Sequence, residues 1–260
     1  MNGAARLAGR RSRPQHRSGT TSGWSLTALI MLPCGSSCTE RDAQNTEGAS
    51  ARVGQTVYRR FVQWSRDRVW ARLRRVILDE LGTRGELDWS RCAIDSVSLR
   101  AAKGGPLTGP NPTDRGKLGS KIHLVCDRNG LPLSLGISGA NVHDSQGLEP
   151  LVRGIPPIRS RRGPRRRKPA KLHADKGYDY DHLRRWLRER GIRHRIAREG
   201  IESSQRLGRH RWMVGRTVSW LGGCRRLHRR YERKAEHLLA FVGIAATLNG
   251  YRRLNTLLTA

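Results

Sequence analysis

The chain has 260 residues, of which 51 are Lys or Arg and 21 are Asp or Glu, so its formal net charge is +30. Apolar residues make up 36% and glycines number 29, an ordinary globular composition that argues against wholesale disorder. A positive field of this size attracts polyanions, and nucleic acid is the simplest such partner. Structural RNA binding of the ribosomal kind is the alternative that the composition leaves open.

The cysteines and the N-terminal region indicate the compartment. Five scattered cysteines, an odd number, argue against a disulfide framework and for a reducing environment. No run of 18 apolar residues exists, so the sequence predicts no transmembrane helix. The short apolar run 24–32 is only superficially like a signal peptide, because Pro33 follows it and a small-x-small cleavage site is missing. We expect a cytoplasmic protein without membrane attachment.

The first third of the chain divides into two stretches. Residues 1–52 are rich in Ser, Gly, Thr and Arg without a sustained period, which predicts a poorly ordered segment. From 55 to 81, apolar residues recur at helical spacing with arginines between them. This pattern predicts one amphipathic helix or a helical hairpin broken near 65–67. The arginines form either a solvated face or a DNA-contacting one.

The centre of the chain changes to the period of strands. Apolar runs at 92–99, 121–126 and 131–137 predict three strands, and the last two are joined by Asn129-Gly130, a strong hairpin signal. A loop rich in Gly and Pro, 104–119, separates the first two strands. This part of the chain therefore predicts an antiparallel sheet.

The second half of the chain alternates strands and helices. The predicted elements are, in order, a helix at 144–152, a basic linker at 155–171, a strand at 171–174, a helix at 181–190 ended by Gly191, a strand at 192–197, and helices at 212–221 and 227–254. Hairpin strands followed by strand–helix–strand and then by helices predict a mixed sheet in an α/β domain.

Two aspartates stand out as candidate catalytic residues. Asp95 lies in the middle of an apolar strand, where a charge is costly unless it has a partner or a metal. Asp175 follows a strand, and strand ends are where ligands bind in open α/β sheets. Two such carboxylates can hold Mg²⁺ for phosphodiester chemistry. The alternatives are a hydrogen-bonded strand residue for Asp95 and a turn or N-cap residue for Asp175.

Seven short segments occur in an order that is typical of one protein family. They are AIDS at 93–96, GPNPTDRGK at 109–117, GSK at 119–121, NVHD at 141–144, HADKGYD at 173–179, RWMVGRT at 211–217 and RRYER at 229–233. Over about 53–254 the chain resembles the DDE transposases of bacterial insertion sequences, in the broad insertion-sequence four/five group. No single segment would suffice for this resemblance, but the ordered set is specific.

The resemblance implies a fold and a domain organisation. It implies an RNase H-like α/β catalytic domain at 89–255, with a mixed five-stranded sheet flanked by helices. Residues 53–88 would be the helical remnant of a DNA-binding region, and residues 1–52 do not look like the family. A frameshift or truncation of a decayed element would explain that difference.

The resemblance also implies the chemistry. Asp95 and Asp175 would be the first two catalytic carboxylates and would bind Mg²⁺ or Mn²⁺ in a two-metal site. The family cleaves DNA at the ends of its element and then transfers the strand through the freed 3′ hydroxyl. The partners would be double-stranded DNA, both the terminal inverted repeats and the target, and further copies of the chain during transposition. A bacterial, nucleoid-associated location follows from these partners.

The third catalytic position departs from the family. Where the family has its catalytic Glu, between Arg-Trp-x-Val and Arg-Thr, this chain has Gly215. Glycine supplies no ligand and costs about 1 kcal/mol of helix propensity relative to alanine. We therefore expect a severely impaired or inactive nuclease. Glu232 is an alternative ligand, and its ordinary interpretation is a surface ion pair among Arg229, Arg230 and Arg233.

Further residues are expected to contact DNA or to support the site. Basic side chains expected to bind DNA are Lys117, Lys121, Arg165, Arg166, Arg167, Arg211 and Arg216. Supporting residues are His143, Asp144 and Tyr178. The basic stretch 159–171 could equally be an exposed, disordered loop. An alternative function is a catalytically dead DNA-binding remnant that inhibits an intact copy.

Overall fold

The computed structural model describes residues 43–198 and 204–259, with side chains described for 54–198 and 212–259. Two helices begin this part of the chain. Helix α1 spans Ala43–Arg66 and helix α2 spans Val69–Arg84. Arg68, in the left-handed conformation with φ 53°, separates them, which confirms the predicted hairpin. The predicted disorder of 1–52 falls mostly outside the described residues, although 43–52 begin α1.

A mixed sheet forms the centre of the domain. Its strands are β1 Cys92–Ala101, β2 Gly109–Pro110, β3 Leu118–Asp127, β4 Pro132–Gly139, β5 Lys171–Ala174, β6 Arg193–Ile196 and β7 Arg229–Arg230. The five longer strands lie in the order β4-β3-β1-β5-β6, with β3 antiparallel to both β1 and β4, and with β5 and β6 parallel to β1. The expected RNase H-like, five-stranded mixed sheet is therefore confirmed, and the two-residue strands β2 and β7 extend it.

The β3–β4 hairpin is organised by a buried carboxylate. Gly130 takes the left-handed conformation (φ 84°) that the predicted Asn-Gly turn requires. Asp127, fully buried, accepts hydrogen bonds from the backbone N–H groups of Asn129 (2.9 Å), Leu131 (2.8 Å) and Asp88 (3.0 Å). Burial raises the pKa of Asp127 to about 6, although these three donors oppose the rise.

Four further helices complete the fold: α3 Leu148–Arg153, α4 Asp181–Glu189, α5 Ser204–Gly222 and α6 Ala235–Thr259. The prediction that the last helix starts at 227 is wrong, because residues 229–230 pair with β1 as strand β7. Arg230 is fully buried there, and its guanidinium donates to the carbonyl oxygens of Pro106 (2.8 Å) and Leu107 (3.0 Å). These distant acceptors hold the segment extended.

The basic segment between α3 and β5 is also better fixed than a disordered loop. Ile155 and Ile158 are fully buried, and the backbone of Ile158 pairs with that of Arg166. The N–H of Arg159 donates to Asp79 of α2 at 2.8 Å. The disordered-loop interpretation of 159–171 is therefore wrong, since this segment is anchored to α2.

Apolar side chains cover both faces of the sheet. On one face, Ile94 and Leu172 share a core with residues of α2, α3 and α4. On the other, Ala93 and Leu124 share a core with Val214 of α5 and with residues of α6. Among the described residues, no helix is long and apolar enough to span a membrane.

Candidate active site

Asp95 lies within β1, and Asp175 directly follows the neighbouring parallel strand β5. Ala93 of β1 lies opposite His173 of β5 in parallel register. Two residues further along each strand come Asp95 and Asp175, and the backbone of Asp175 is still extended (φ −82°, ψ −174°). Adjacent strands lie about 4.8 Å apart, so this register places the two α-carbons within roughly 5–6 Å of each other.

Both carboxylates project to the face of the sheet that α5 covers. Side chains alternate along a strand, so Asp95 shares the face of Ala93, and Asp175 shares that of His173. Ala93 belongs to the same core as Met213 and Val214 of α5. The two carboxylates are therefore neighbours on one face, beneath one helix.

Local backbone donors orient each carboxylate, and both side chains are half-buried. The N–H of Ser96 donates to Oδ1 of Asp95 at 2.9 Å. The N–H of Gly177 donates to Oδ1 of Asp175 at 3.1 Å, and Asp175 thereby caps the short 3₁₀ turn Lys176–Tyr178. The N-cap interpretation of Asp175 thus describes one role of its side chain.

Gly215 lies on α5, next to the fully buried Met213 and Val214, but is itself exposed. Among the described residues, no atom lies within 4 Å of the position that a β-carbon at Gly215 would occupy. A glutamate side chain therefore fits at this position without displacing its neighbours.

The carboxylates of Asp95 and Asp175 provide enough ligands for one shared cation but too few for two. Two aspartates on neighbouring strands offer the hard oxygen ligands that Mg²⁺ prefers. Within residues 43–198 and 204–259, however, no group of three or more His, Cys, Asp or Glu side chains could hold a metal ion. With Gly215 at the position where the sequence predicts the third carboxylate, the residues present fall short of a complete two-metal ligand set.

Glu232 lies away from this pair, and the expectation of a surface ion pair for it is wrong. Its side chain is buried, forms an ion pair with Arg226, and accepts the backbone N–H of Tyr231 at 3.2 Å. It follows β7, which pairs with β1 at Ala101. Ala101 is six residues beyond Asp95, or about 20 Å along an extended strand.

Asp144 forms a polar network with Ser96, the residue that follows Asp95 on β1. Its Oδ1 accepts from Ser96 Oγ (2.8 Å) and from Lys121 Nζ (2.9 Å), and Lys121 Nζ also donates to the carbonyl of Val142 (2.8 Å). Partial burial raises the pKa of Asp144, but the bonds from Lys121 and Ser96 outweigh it, so the pKa lies below its ordinary value. Because Ser96 adjoins Asp95, this network fixes β1 from the opposite face of the sheet.

The other two supporting residues have different surroundings. His143 is exposed, and its Nδ1 lies 2.8 Å from Ser145 Oγ, which places it at the start of the short 3₁₀ turn Asp144–Gly147. Tyr178 is 1% exposed and packs in the core under the end of β5. Tyr178 therefore supports the strand end from within and does not form part of the surface.

The basic triplet of the segment before β5 is exposed on the surface. Arg165 pairs with Asp79 at 2.8 Å, Arg166 lies 5.6 Å over the ring of Trp89, and Arg167 donates to the carbonyl of Arg153 at 3.1 Å. Each guanidinium is thus held in place while part of it stays open to solvent.

The remaining candidate DNA-binding residues are distributed over several elements. Lys117 is exposed in the loop before β3, whereas Lys121 is engaged with Asp144. Arg216 of α5 is exposed and donates to the carbonyl of Asn129 at 2.8 Å. Arg211 also lies on α5, but its side chain falls outside the described side chains.

The sequence did not point to two structural serines, Ser96 at the site and Ser120 at strand β7. Ser96 bridges Asp144 to β1, and its position directly after Asp95 was the only signal. Ser120, fully buried, accepts a hydrogen bond from Arg230 at 2.7 Å. These residues are 110 positions apart, and no local pattern joins them.

A mixed sheet that carries one acid within β1 and another directly after the adjacent strand β5 is an arrangement suited to an enzyme of metal-assisted phosphoryl transfer. The chain belongs more narrowly to the DDE transposases, because the family model for the transposase DDE domain matches residues 88–249. This match covers the whole sheet and helices α3 to α5.

Two relatives and one solved structure illustrate the similarity. Over 145 residues the chain is 48% identical to a Burkholderia cepacia protein named as a candidate transposase for insertion sequence element IS402, covering 56% of this chain and 69% of the relative. Over 87 residues it is 35% identical to the transposase for insertion sequence element IS1106 of Neisseria meningitidis serogroup B, covering 34% and 26%. A piggyBac transposase synaptic complex with hairpin DNA covers 62% of this chain and 46% of that one, with 10% identity and a TM-score of 0.42.

Proposed function

We propose that the chain is an insertion-sequence transposase that binds the terminal inverted repeats of its element and target DNA, and whose DNA cleavage and strand transfer are impaired. The observation that supports the proposal most directly is the matched parallel register that brings Asp95 and Asp175 together under α5. Family membership supplies the reaction class, and Gly215 supplies the reason for the impairment.

In this proposal Asp95 and Asp175 hold Mg²⁺ or Mn²⁺ through their carboxylate oxygens. A metal held by these two residues would supply activation of the attacking hydroxyl and stabilisation of the leaving oxygen of a phosphodiester. The backbone N–H groups of Ser96 and Gly177 set the direction of the two carboxylates, and the bond from Ser96 to Asp144 keeps β1 in place. The protein's own contribution is thus a fixed pair of charged oxygens.

The impairment follows from the charge and ligand count. Three carboxylates would offset most of the charge of two divalent cations, whereas two carboxylates leave more of it uncompensated and leave one cation with fewer ligands. We infer that the second cation binds weakly at this site, so the chain cleaves DNA slowly or not at all.

DNA binding itself does not depend on Gly215. The chain carries a formal charge of +30, and exposed side chains such as Lys117, Arg166 and Arg167 can contact phosphates without reading sequence. We propose that helices α1 and α2 are the remnant of a DNA-binding region and that copies of the chain associate on the paired ends of the element.

The decisive experiment is metal-dependent cleavage of end-containing DNA by the natural chain and by Gly215→Glu. We expect Gly215→Glu to cut at least about 100-fold faster, because it supplies the missing ligand in open space. Gly215→Gln is the matched control, since it fills the same space without the charge, and it should stay inactive. Adding Asp95→Asn to Gly215→Glu should abolish the gain.

Equal cleavage by the natural chain and by Gly215→Glu would show that position 215 is not the third ligand. A second candidate function, a catalytically dead DNA-binding remnant that inhibits an intact copy, is favoured by the lack of a three-ligand group among the described residues. It predicts no cleavage by the natural chain and a dose-dependent loss of transposition when the chain is mixed with an intact copy.

A further inference from the structure

A cluster of basic side chains lies at the end of the sheet opposite to Asp95 and Asp175. Its members come from the end of α3, from the segment before β5, from the end of α4 and from the first residues of β5 and β6. They are Arg153, Arg167, Lys168, Lys171, Arg190 and Arg193, and we call them the basic cluster. Of the six, the sequence singles out only Arg167 as a DNA-binding residue.

The strand register places the basic cluster away from the carboxylate pair. Lys171 and Arg193 are the paired first residues of the parallel strands β5 and β6, whereas Asp175 follows the last residue of β5. The chain from Lys171 to Asp175 spans about 13 Å when extended. Lys168 and Arg190 come shortly before the two strands begin, at the same end as Lys171. The basic cluster and the carboxylates therefore lie at opposite ends of β5.

The indole of Trp186 holds two cations of the basic cluster in place. The guanidinium carbon of Arg190 lies 3.8 Å from the centre of the Trp186 ring, and that of Arg153 lies 5.5 Å from it. Arg167 donates to the carbonyl of Arg153 at 3.1 Å. Contacts with an aromatic ring or a backbone carbonyl fix a guanidinium group without neutralising its charge.

The end of α4 brings Lys168 to the same surface. Lys168 Nζ lies 3.2 Å from the position that a β-carbon at Gly191 would occupy, and Gly191 adjoins Arg190. A helix C-terminus carries about half a negative charge, which a single cation offsets. The helix end therefore accounts for one of these two cations and leaves the other available to a ligand.

Acids neutralise only a minor part of the basic cluster. Arg153 pairs with Glu149 at 3.1 Å, and Glu189 is the last residue of α4. Within residues 54–198 and 212–259, no ion pair joins an acid to the other five members. Like charges that are held close together repel, and an anion placed among them relieves the repulsion. The basic cluster is therefore suited to an anionic ligand.

The spread of the cations favours a polyanion over a small anion. The six side chains come from five consecutive parts of the fold, α3, the segment before β5, β5, α4 and β6. A DNA duplex carries one negative charge about every 1.7 Å along its axis, so it offers several phosphates to such a surface at once. Arginine and lysine contact phosphates without reading the base sequence.

We propose that the basic cluster binds the phosphates of a second DNA duplex while a first duplex lies at the carboxylate pair, so that one chain holds two duplexes. This inference rests on the proposed function, because that function brings the first duplex to Asp95 and Asp175. A straight duplex that crosses the sheet at the carboxylates does not reach the basic cluster, since the lengths of β5 and α4 lie between them. The second duplex can have any sequence.

The test is native mass spectrometry of the chain with a short DNA duplex in EDTA, which counts the duplexes bound to each chain in every oligomer. The natural chain should bind two duplexes per chain at saturation. Lys168→Gln combined with Arg190→Gln should bind the first duplex as before and the second at least about tenfold more weakly. Arg167→Gln combined with Arg193→Gln should have the same effect and leaves the contact between Arg190 and Trp186 intact.

Arg84→Gln combined with Arg128→Gln is the matched control, because it also removes two positive charges. These arginines are paired with Glu80 at 2.8 Å and with Asp88 at 3.3 Å, and neither belongs to the basic cluster. The control variant should still bind two duplexes per chain.

The outcomes separate this inference from the proposed function. One duplex per natural chain at saturation, or two duplexes bound equally well by both double variants of the basic cluster, would overturn the second site and leave the proposed function standing. Failure to bind any duplex would overturn the proposed function. Tighter binding of double-stranded RNA than of DNA at the second site would overturn its assignment to DNA.

Discussion

At the scale of single residues, Asp127 shows how a charge is used inside the fold. Its carboxylate gathers three backbone N–H groups from the β3–β4 turn and from the segment before β1, in a site with no solvent exposure. The strand pair that carries Asp95 is therefore closed at one end by a buried acid.

This burial predicts a pH-dependent stability. The pKa of Asp127 is raised to about 6 in the folded chain, above its ordinary value, so the folded state binds the proton more tightly than the unfolded state does. Its contribution is most favourable at low pH and is lost as the pH rises through 6. Relative to Asp127→Asn, the free energy of unfolding should fall by about 2.5 kcal/mol between pH 4 and pH 7.5.

Urea denaturation of both proteins across that pH range measures the difference. If the free energies of unfolding of the natural chain and of Asp127→Asn change with pH in the same way, the pKa of Asp127 is not raised. The comparison with Asp127→Asn removes the effects of the other titrating groups, which are common to both proteins.

At the scale of elements, local patterns predicted most of the sheet. Alternating apolar residues and Asn129-Gly130 are short-range signals, and β3 and β4 formed where they indicated. The start of α6 could not be predicted in this way, because the burial of Arg230 depends on carbonyl groups more than 100 positions away. Similarly, only the fold shows that Glu232 pairs with Arg226.

The site shows the same division between local and distant information. Asp95 and Asp175 could be singled out from their strands, because an acid in or after an apolar run is a local anomaly. Their shared register, the Asp144 network and the contact between the rings of His143 and Tyr180 join segments far apart in the chain. Such pairings are set by the tertiary fold and leave no periodic trace.

The contact between α2 and the basic segment before β5 predicts opposite effects for two helical glycines. A β-carbon at Gly82 would lie 2.1 Å from the carbonyl oxygen of Arg159, whereas among the described residues nothing lies within 4 Å of one at Gly54. Gly82→Ala should destabilise the chain by about 2 kcal/mol or more, because backbone atoms must move. Gly54→Ala should stabilise α1 by about 0.5–1 kcal/mol through helix propensity.

Thermal unfolding of the two variants beside the natural chain checks this pair. Equal behaviour of the two glycine variants would mean that α2 does not approach Arg159 as closely as described. A loss confined to Gly82→Ala would tie the basic segment to the helical hairpin.

At the scale of the whole molecule, the large positive charge governs the approach to DNA. The association constant for DNA falls as salt is added. Each contact with a phosphate makes the slope of its logarithm against log salt concentration more negative by about 0.9. Changing Arg166 and Arg167 together to Gln should therefore make the slope less negative by about 2 and weaken binding alike on all sequences.

Filter binding at several salt concentrations measures the slope. Arg84→Gln is a suitable control, because Arg84 lies on α2 and is already paired with Glu80 at 2.8 Å. An unchanged slope in the double variant would place the DNA elsewhere on the surface.

The empty surroundings of position 215 bear on how this chain evolves. Among the described residues, no atom lies within 4 Å of the position of a β-carbon at Gly215. Reversion therefore requires no compensating mutation, and glutamate codons differ from two of the glycine codons by one base. Under the proposed function, a dormant copy of this kind stays a single substitution from mobility for as long as the rest of its fold is maintained.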